Sequence, residues 1–207
     1  MLLIASFVAP IVVGAIFKSD ILEITTSIVA LLVAVLFAKA KIEGYFLLFL
    51  SLTLYAIVSW RARLYGEFID QIILTLPVAI FGVVNWLRNK FDDTRKGKVV
   101  KITHTHWIEI ALLILSQIIM GVGYYFVLRA FNTNLLLLST ICVAVAFMGT
   151  YLTARRSDFV PYVWILSDFA LIALWAFVGA MVILPIVYVI IDTYSIINWR
   201  RLKKCQK

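Results

Sequence analysis

Two aspartates stand in otherwise apolar sequence, each with an aromatic ring four residues before it. Trp164, Asp168, Leu171 and Trp175 are spaced i, i+4, i+7 and i+11, and Tyr188, Asp192, Ser195 and Trp199 repeat that pattern. On a helix each set shares one face. A ring one turn from a carboxylate suits a flat, polar or cationic heterocycle, by stacking and cation–π attraction. Glu67, Gln71 and Thr75 form a further polar stripe at i, i+4 and i+8, followed by Pro77, which has no N–H to donate and so frees a carbonyl one turn earlier. A blander role for the aspartates is to glue helices together by hydrogen bonds. A third is an aspartyl dyad sharing a proton for peptide hydrolysis, but the G-x-G-D signature of such intramembrane enzymes is missing.

The elements that must carry these residues are membrane spans. Of 207 residues, 64% are hydrophobic and 14% charged, and the mean hydropathy is +1.03. A soluble domain of this composition would expose far too much apolar surface. Apolar runs occur at about 2–17, 21–38, 44–60, 65–87, 107–129, 134–153, 159–177 and 180–199, each long enough for a helix to cross hydrocarbon. The first has no basic region before it and is taken as a retained helix, not a cleaved leader. The stretch 159–199 is divided by a tight turn near Gly179. Asp168 and Asp192 then fall near mid-span, where a carboxylate costs roughly 2.5–3.5 kcal/mol on insertion scales and normally faces the bundle interior or a water-filled path.

With eight spans, loops 39–43, 88–106 and 154–158 and the tail share the side of the N-terminus, and hold fifteen of the 19 Lys and Arg residues. The others are Lys18, Arg61, Arg63 and Arg129. This places both termini in the cytoplasm and makes the net charge of +8 a topology signal; the basic residues lie in short loops without a recognition motif, so no nucleic-acid partner is expected. His104 and His106 lack a third ligand, so no metal is expected. Cys142 lies mid-span and Cys205 in the tail, so no disulfide is expected. Walker A, G-x-S-x-G and H-E-x-x-H motifs do not occur, and neither catalysis nor a cofactor is implied.

An internal repeat organises the chain. GVVNWLR (82–88) matches SIINWRR (195–201), and AKAKIEGYFLLFLSLTLY (38–55) has a counterpart in TARRSDFVPYVWILSDFALI (153–172). The fold class is therefore an all-α integral membrane protein of eight transmembrane helices, an extra N-terminal helix plus a 3+1+3 parallel-repeat core. Its expected parts are 1–20 for the extra helix, 21–88 for repeat 1, 89–133 for the loop and linking helix, 134–201 for repeat 2, and 202–207 for a basic tail. Small facilitators built this way hold substrate between the halves near mid-membrane.

The run 38–86, with its basic loop, aromatic helix, LYG (64–66) before a polar helix, and G-x-x-x-W (82–86), resembles the bacterial PnuC family of nicotinamide riboside transporters. The second half fits through ARRSDFVPYVWILSD (154–168) and the closing Asn-Trp-Arg-Arg (198–201), so the resemblance covers 21–201. It implies a SWEET-like fold, a homotrimer in the bacterial inner membrane, and facilitated diffusion of a vitamin or nucleoside made one-way by intracellular phosphorylation. Proton coupling through Asp168 or Asp192 is an alternative. The family often has Asn where this chain has Asp168 and, by repeat alignment, Ser51; Gln71 keeps the family's polar position.

The resulting site expectation is Trp164 stacking on a heterocycle, with Asp168, Ser51 and Gln71 holding ring or sugar groups. Thr75, Tyr55, Asp192, Tyr188 and Trp175 complete the candidate set. Further departures are Pro161, where many members have a second Trp, and Ala79, where a polar residue is common. Relatives are assigned to thiamine, riboflavin and deoxyribonucleosides, so these changes bear on the cargo. Two aspartates complement a cation, which favours nicotinamide riboside or thiamine over the neutral vitamins and nucleosides. Family frequency puts nicotinamide riboside first.

Overall fold

The computed structural model describes residues 20–93, 97–133, 135–178 and 183–206, and, of the first nineteen, Val8 and Val12. Within them the chain forms seven long helices: α1 (Ile21–Ala38), α2 (Glu43–Arg61), α3 (Tyr65–Arg88), α4 (Trp107–Ala130), α5 (Leu136–Ala154), α6 (Val160–Val178) and α7 (Ile183–Cys205). Seven of the eight expected helices thus stand among the described residues. The eighth, the run 2–17, lies outside them but for Val8 and Val12, and so does the turn at Gly179. Six of the seven, α1 to α6, are long and apolar enough to cross a membrane. A water-free surrounding leaves these runs no other way to pair their backbone groups.

Helix α3 is not uniform. Residues Asp70–Thr75 are π-helical, with the Leu76 N–H bonded back to the Gln71 carbonyl. Pro77 follows at once, in the first turn of the resumed α-helix. It has no N–H for the carbonyl four residues earlier, and the wider winding is the local accommodation. The helix continues without a break.

Between α3 and α4 lies an antiparallel hairpin, β1 (Lys90–Asp93) and β2 (Gly97–Val100), with Lys90 opposite Val100 and Asp93 opposite Gly97. It was not among the expected elements. Its second strand and the residues after it run across the basic end of the bundle. The Val100 N–H donates to the Ala40 carbonyl at 2.9 Å and the Thr103 N–H to the Arg156 carbonyl at 2.9 Å. Ala40 and Arg156 occupy matching places just past α1 and α5, and both are left-handed, with φ of 56° and 62°. At each, the next N–H reaches back five residues, Lys41 to Leu36 and Ser157 to Leu152, both at 3.0 Å, closing the helix in a Schellman-type turn.

The helix ends one turn earlier are held from the opposite stretch of chain. At the end of α3, Asn85 Nδ2 donates to the Ala154 carbonyl at 2.7 Å and Trp86 Nε1 to the Thr153 carbonyl at 2.8 Å. At the matching place on α7, Asn198 Nδ2 donates to the Ala38 carbonyl at 2.8 Å and Trp199 Nε1 to the Phe37 carbonyl at 3.0 Å. Each Asn-Trp pair therefore clasps the first helix of the other three-helix stretch. Helix-terminal carbonyls have no partner within their own helix, and the clasps supply one. Around them Trp86, Trp199, Tyr45 and Leu202 form the largest core cluster. Phe37, Tyr45 and Trp86 meet one another at ring separations of 4.9–5.5 Å.

Asp158, in the α5–α6 turn, gathers three neighbours at this end: Lys203 of α7, His104 Nδ1 at 3.0 Å and the Thr105 N–H at 3.1 Å. Burial alone would raise its carboxyl, but the bonds from Lys203, His104 and Thr105 outweigh that and hold it below the usual range.

Two outcomes follow. Asn198→Ala strands the buried Ala38 carbonyl and should lower stability by roughly 1–3 kcal/mol, read as the unfolding midpoint in detergent at unchanged helix content. Because Asp158 is lowered on folding, its contribution is complete above about pH 4, the ordinary carboxylate value, and fades as pH falls through its folded value. Acid titration of thermal stability should show this loss in the native chain and not in Asp158→Asn.

Candidate functional site

Six of the seven helices, all but α4, enclose a cavity with about 190 Å³ open to the centre of a water molecule. Eight of the nine side chains singled out from sequence line it: Ser51 and Tyr55 from α2, Gln71 and Thr75 from α3, Trp164 and Asp168 from α6, Tyr188 and Asp192 from α7. The ninth, Trp175, lies outside the lining. It is buried among Leu64, Cys142 and Leu174, and meets Tyr55 edge-on at 6.4 Å. The sequence face that carries it is right, but three turns of helix take it past the end of the cavity.

Two acids join the lining that the candidate set omitted, Glu67 and Asp70. Glu67 begins the α3 stripe, and its Oε2 lies 3.5 Å from the Tyr55 hydroxyl. Asp70 is off that stripe in an α-helix, but the π turn brings it over Thr75, whose hydroxyl donates to its Oδ2 at 3.2 Å. Gln71 Nε2 donates to the same oxygen at 3.0 Å. Four carboxyl groups thus face one space, and among the described residues no Lys, Arg or His lines it. Glu67, Asp70 and Asp168 are only 4, 2 and 2% exposed. Each has one oxygen, Oε1, Oδ1 and Oδ2 respectively, buried without a hydrogen bond among the described residues. Asp168 and Asp192 reach the cavity from neighbouring helices, α6 and α7.

Trp164 is half-buried, its ring set against the α5 backbone. A Cβ on Gly149 would stand 3.0 Å from ring carbon Cε2, so the absent side chain lets the indole lie flat there. Trp164 Nε1 donates to Thr153 Oγ1 at 2.9 Å, which fixes the ring's rotation. Thr153 is also the residue whose carbonyl the Trp86 clasp holds. Phe37, held in the same way by Trp199, lines the cavity as well. Of the four departures from the family pattern, Ser51 and Asp168 line the cavity, whereas Ala79 and Pro161 are buried outside it. Among the described residues, the cavity included, no three metal-ligating side chains converge.

A largely apolar cavity that carries four acids and a fixed indole, among helices of which five are long and apolar enough to cross a membrane, is the kind of site a small-molecule transporter needs. The chain belongs to the nicotinamide mononucleotide transporter family, whose model matches residues 20–201. It is 27% identical over 191 residues to the nicotinamide riboside transporter PnuC of Neisseria mucosa, covering 86% of this chain and 71% of that one. Against PnuC of Haemophilus influenzae the identity is 25% over 185 residues, covering 88% and 80%. Among solved structures, the vitamin B3 transporter PnuC superposes with a TM-score of 0.89 at 23% identity, over 99% of this chain and 91% of that one.

The charge of the cavity is open to direct measurement. A cysteine at Ser51, in a chain with Cys142 and Cys205 replaced by Ser, should react with a trimethylammonium methanethiosulfonate at least about tenfold faster than with its sulfonate counterpart. Equal rates would mean that the four acids do not shape the field there.

Proposed function

We propose that this chain carries nicotinamide riboside across the membrane by alternating access, with the heterocycle stacked on Trp164 beside Asp168. The observation that carries this reading is the charge of the cavity. Four carboxyls and, among the described residues, no cationic side chain suit a cargo with a positive ring. They oppose a mononucleotide, whose phosphate brings negative charge into the same space. So although the family's description refers to the mononucleotide, the nucleoside fits better, as the names of the two relatives would have it. Ser51, Tyr55, Gln71 and Thr75 would hold ring or sugar groups, and Asp192 and Tyr188 would close the site from α7. Thiamine, also a cation, is the second reading, supported by the exchange of the family's Asn for Asp168.

Several finer points belong to the same proposal. The three-helix stretches 21–88 and 134–201 act as the two moving halves of a 3+1+3 repeat, a view supported by the reciprocal clasps. Both termini face the cytoplasm of a bacterial cell, by the excess of Lys and Arg on that side. Three copies assemble, as the resemblance implies, and phosphorylation of the cargo inside the cell keeps net flux inward.

Calorimetric titration of detergent-purified protein with nicotinamide riboside, nicotinamide mononucleotide, thiamine, riboflavin and thymidine tests the reading. Nicotinamide riboside should bind and the mononucleotide should not. Trp164→Ala should weaken binding by about 1–3 kcal/mol, the usual worth of a base stacked on an aromatic ring. Binding of thiamine alone would transfer the cargo assignment to it, and silence from all five would refute both.

A further inference from the structure

Glu67 and Asp70 line the cavity, and three neutral polar side chains beside them are turned toward them. The Thr75 hydroxyl donates to Asp70 Oδ2 at 3.2 Å, and Gln71 Nε2 donates to the same oxygen at 3.0 Å. From α2 the Tyr55 hydroxyl faces Glu67 Oε2 at 3.5 Å, a longer and weaker bond. An ionised carboxylate can only accept, and a hydroxyl has one proton to give. The proton of Thr75 is therefore spent on Asp70, and its oxygen is left with lone pairs alone. The same acid settles which end of the Gln71 amide is which: the nitrogen turns to it, and the carbonyl Oε1 stays available. One further N–H of Gln71 remains. The pairing depends on the local winding. Residues five apart on an α-helix stand about 140° apart, but the i→i+5 winding of Asp70–Thr75 stacks the first over the last. Both are buried.

We propose that Asp70 is a positioning residue for the cargo: by holding protons of Thr75 and Gln71 it turns the α3 wall of the cavity into a surface that accepts hydrogen bonds, and so selects a cargo whose sugar carries hydroxyl donors. With the positive ring on Trp164, the 2′- and 3′-hydroxyls of a riboside donate to Thr75 Oγ1 and Gln71 Oε1. Glu67 orients Tyr55 in the same sense, through its longer bond. A deoxyribose leaves one of these acceptors unpaired in a site where burial makes that costly. A phosphate brings only acceptors to a wall of acceptors. Asp70 thus acts through its neighbours, by the direction of their hydrogen bonds, and its charge is a separate contribution. This rests on the riboside reading above and deepens it, from the sign of the ring to the donors on the sugar.

The test is calorimetric binding of nicotinamide riboside and of its 2′-deoxy-2′-fluoro and 3′-deoxy-3′-fluoro analogues, in which fluorine keeps roughly the size of the hydroxyl but has no proton to donate. The native chain should bind at least one analogue about tenfold or more weakly than the riboside. Asp70→Leu, which frees the protons of Thr75 and Gln71, should narrow that gap to about threefold or less. Asp70→Asn removes the charge but keeps an oxygen to accept them, and should preserve the gap even where all three ligands bind more weakly. If Asp70→Leu does not fold, Thr75→Val removes the accepting oxygen itself and should narrow the gap in the same way. Equal binding of all three ligands by the native chain overturns the proposal and leaves the cargo assignment standing. So does a gap that survives both Asp70→Leu and Thr75→Val, or one that Asp70→Asn closes as fully as Asp70→Leu. Failure of the riboside and both analogues to bind refutes the cargo assignment and this proposal with it.

Discussion

A helix that ends inside a bundle leaves carbonyls with nowhere to turn, and in this protein two such ends decide the architecture. Those of α1 and α5 are met by an amide and an indole from the far stretch of chain, Asn198 and Trp199 for one, Asn85 and Trp86 for the other. Because each stretch completes the other, neither satisfies its backbone alone. The β-hairpin linker adds a second exchange one turn on, spending the N–H groups of Val100 and Thr103 on the carbonyls of Ala40 and Arg156. Left-handed backbone at a non-glycine residue costs about 1–2 kcal/mol. It persists here because so many bonds converge on those two turns.

The cavity inherits its shape from that framework. Thr153 gives its carbonyl to Trp86 and its hydroxyl to Trp164, so the clasp and the cavity wall meet in one residue. Phe37 does the equivalent with its carbonyl and its ring. Any displacement of one stretch against the other would therefore move the aromatic surfaces of the cavity. The acids, by contrast, are set by single helices: α3 carries Glu67 and Asp70, while α6 carries Asp168 and α7 carries Asp192.

Much of this is legible in the sequence because hydrocarbon simplifies the problem. Runs of apolar residues must be helical there, and the expected 21–38, 65–87 and 107–129 agree with Ile21–Ala38, Tyr65–Arg88 and Trp107–Ala130 to within a residue. The helical spacing of Trp164, Asp168, Gln71, Thr75, Tyr188 and Asp192 pointed them to one cavity, and the alignment of the repeats added Ser51 to it, since an unsatisfied group has few places to face. What escaped was not periodic. Asp70 lies off the stripe of a regular helix and reaches Thr75 only through π winding. The hairpin sits in a charged linker whose alternation is obscured by Lys and Asp. The Asn-Trp pairs were visible as a repeat, yet a repeat alone does not say that each pair holds the other's helix.

The π turn in α3 has a consequence of its own. An α-helix turns by about 100° per residue, and an i→i+5 turn takes up one surplus residue within a single turn, so the surplus at Asp70–Thr75 is absorbed where it occurs. Asn85 and Trp86, downstream of it, keep their aim at α5. A one-residue deletion in the turn would restore a regular helix and swing Asp70 off Thr75, yet leave the clasp facing its carbonyls. The face that α3 shows to the cavity can therefore be recut without loosening its grip on the opposite stretch.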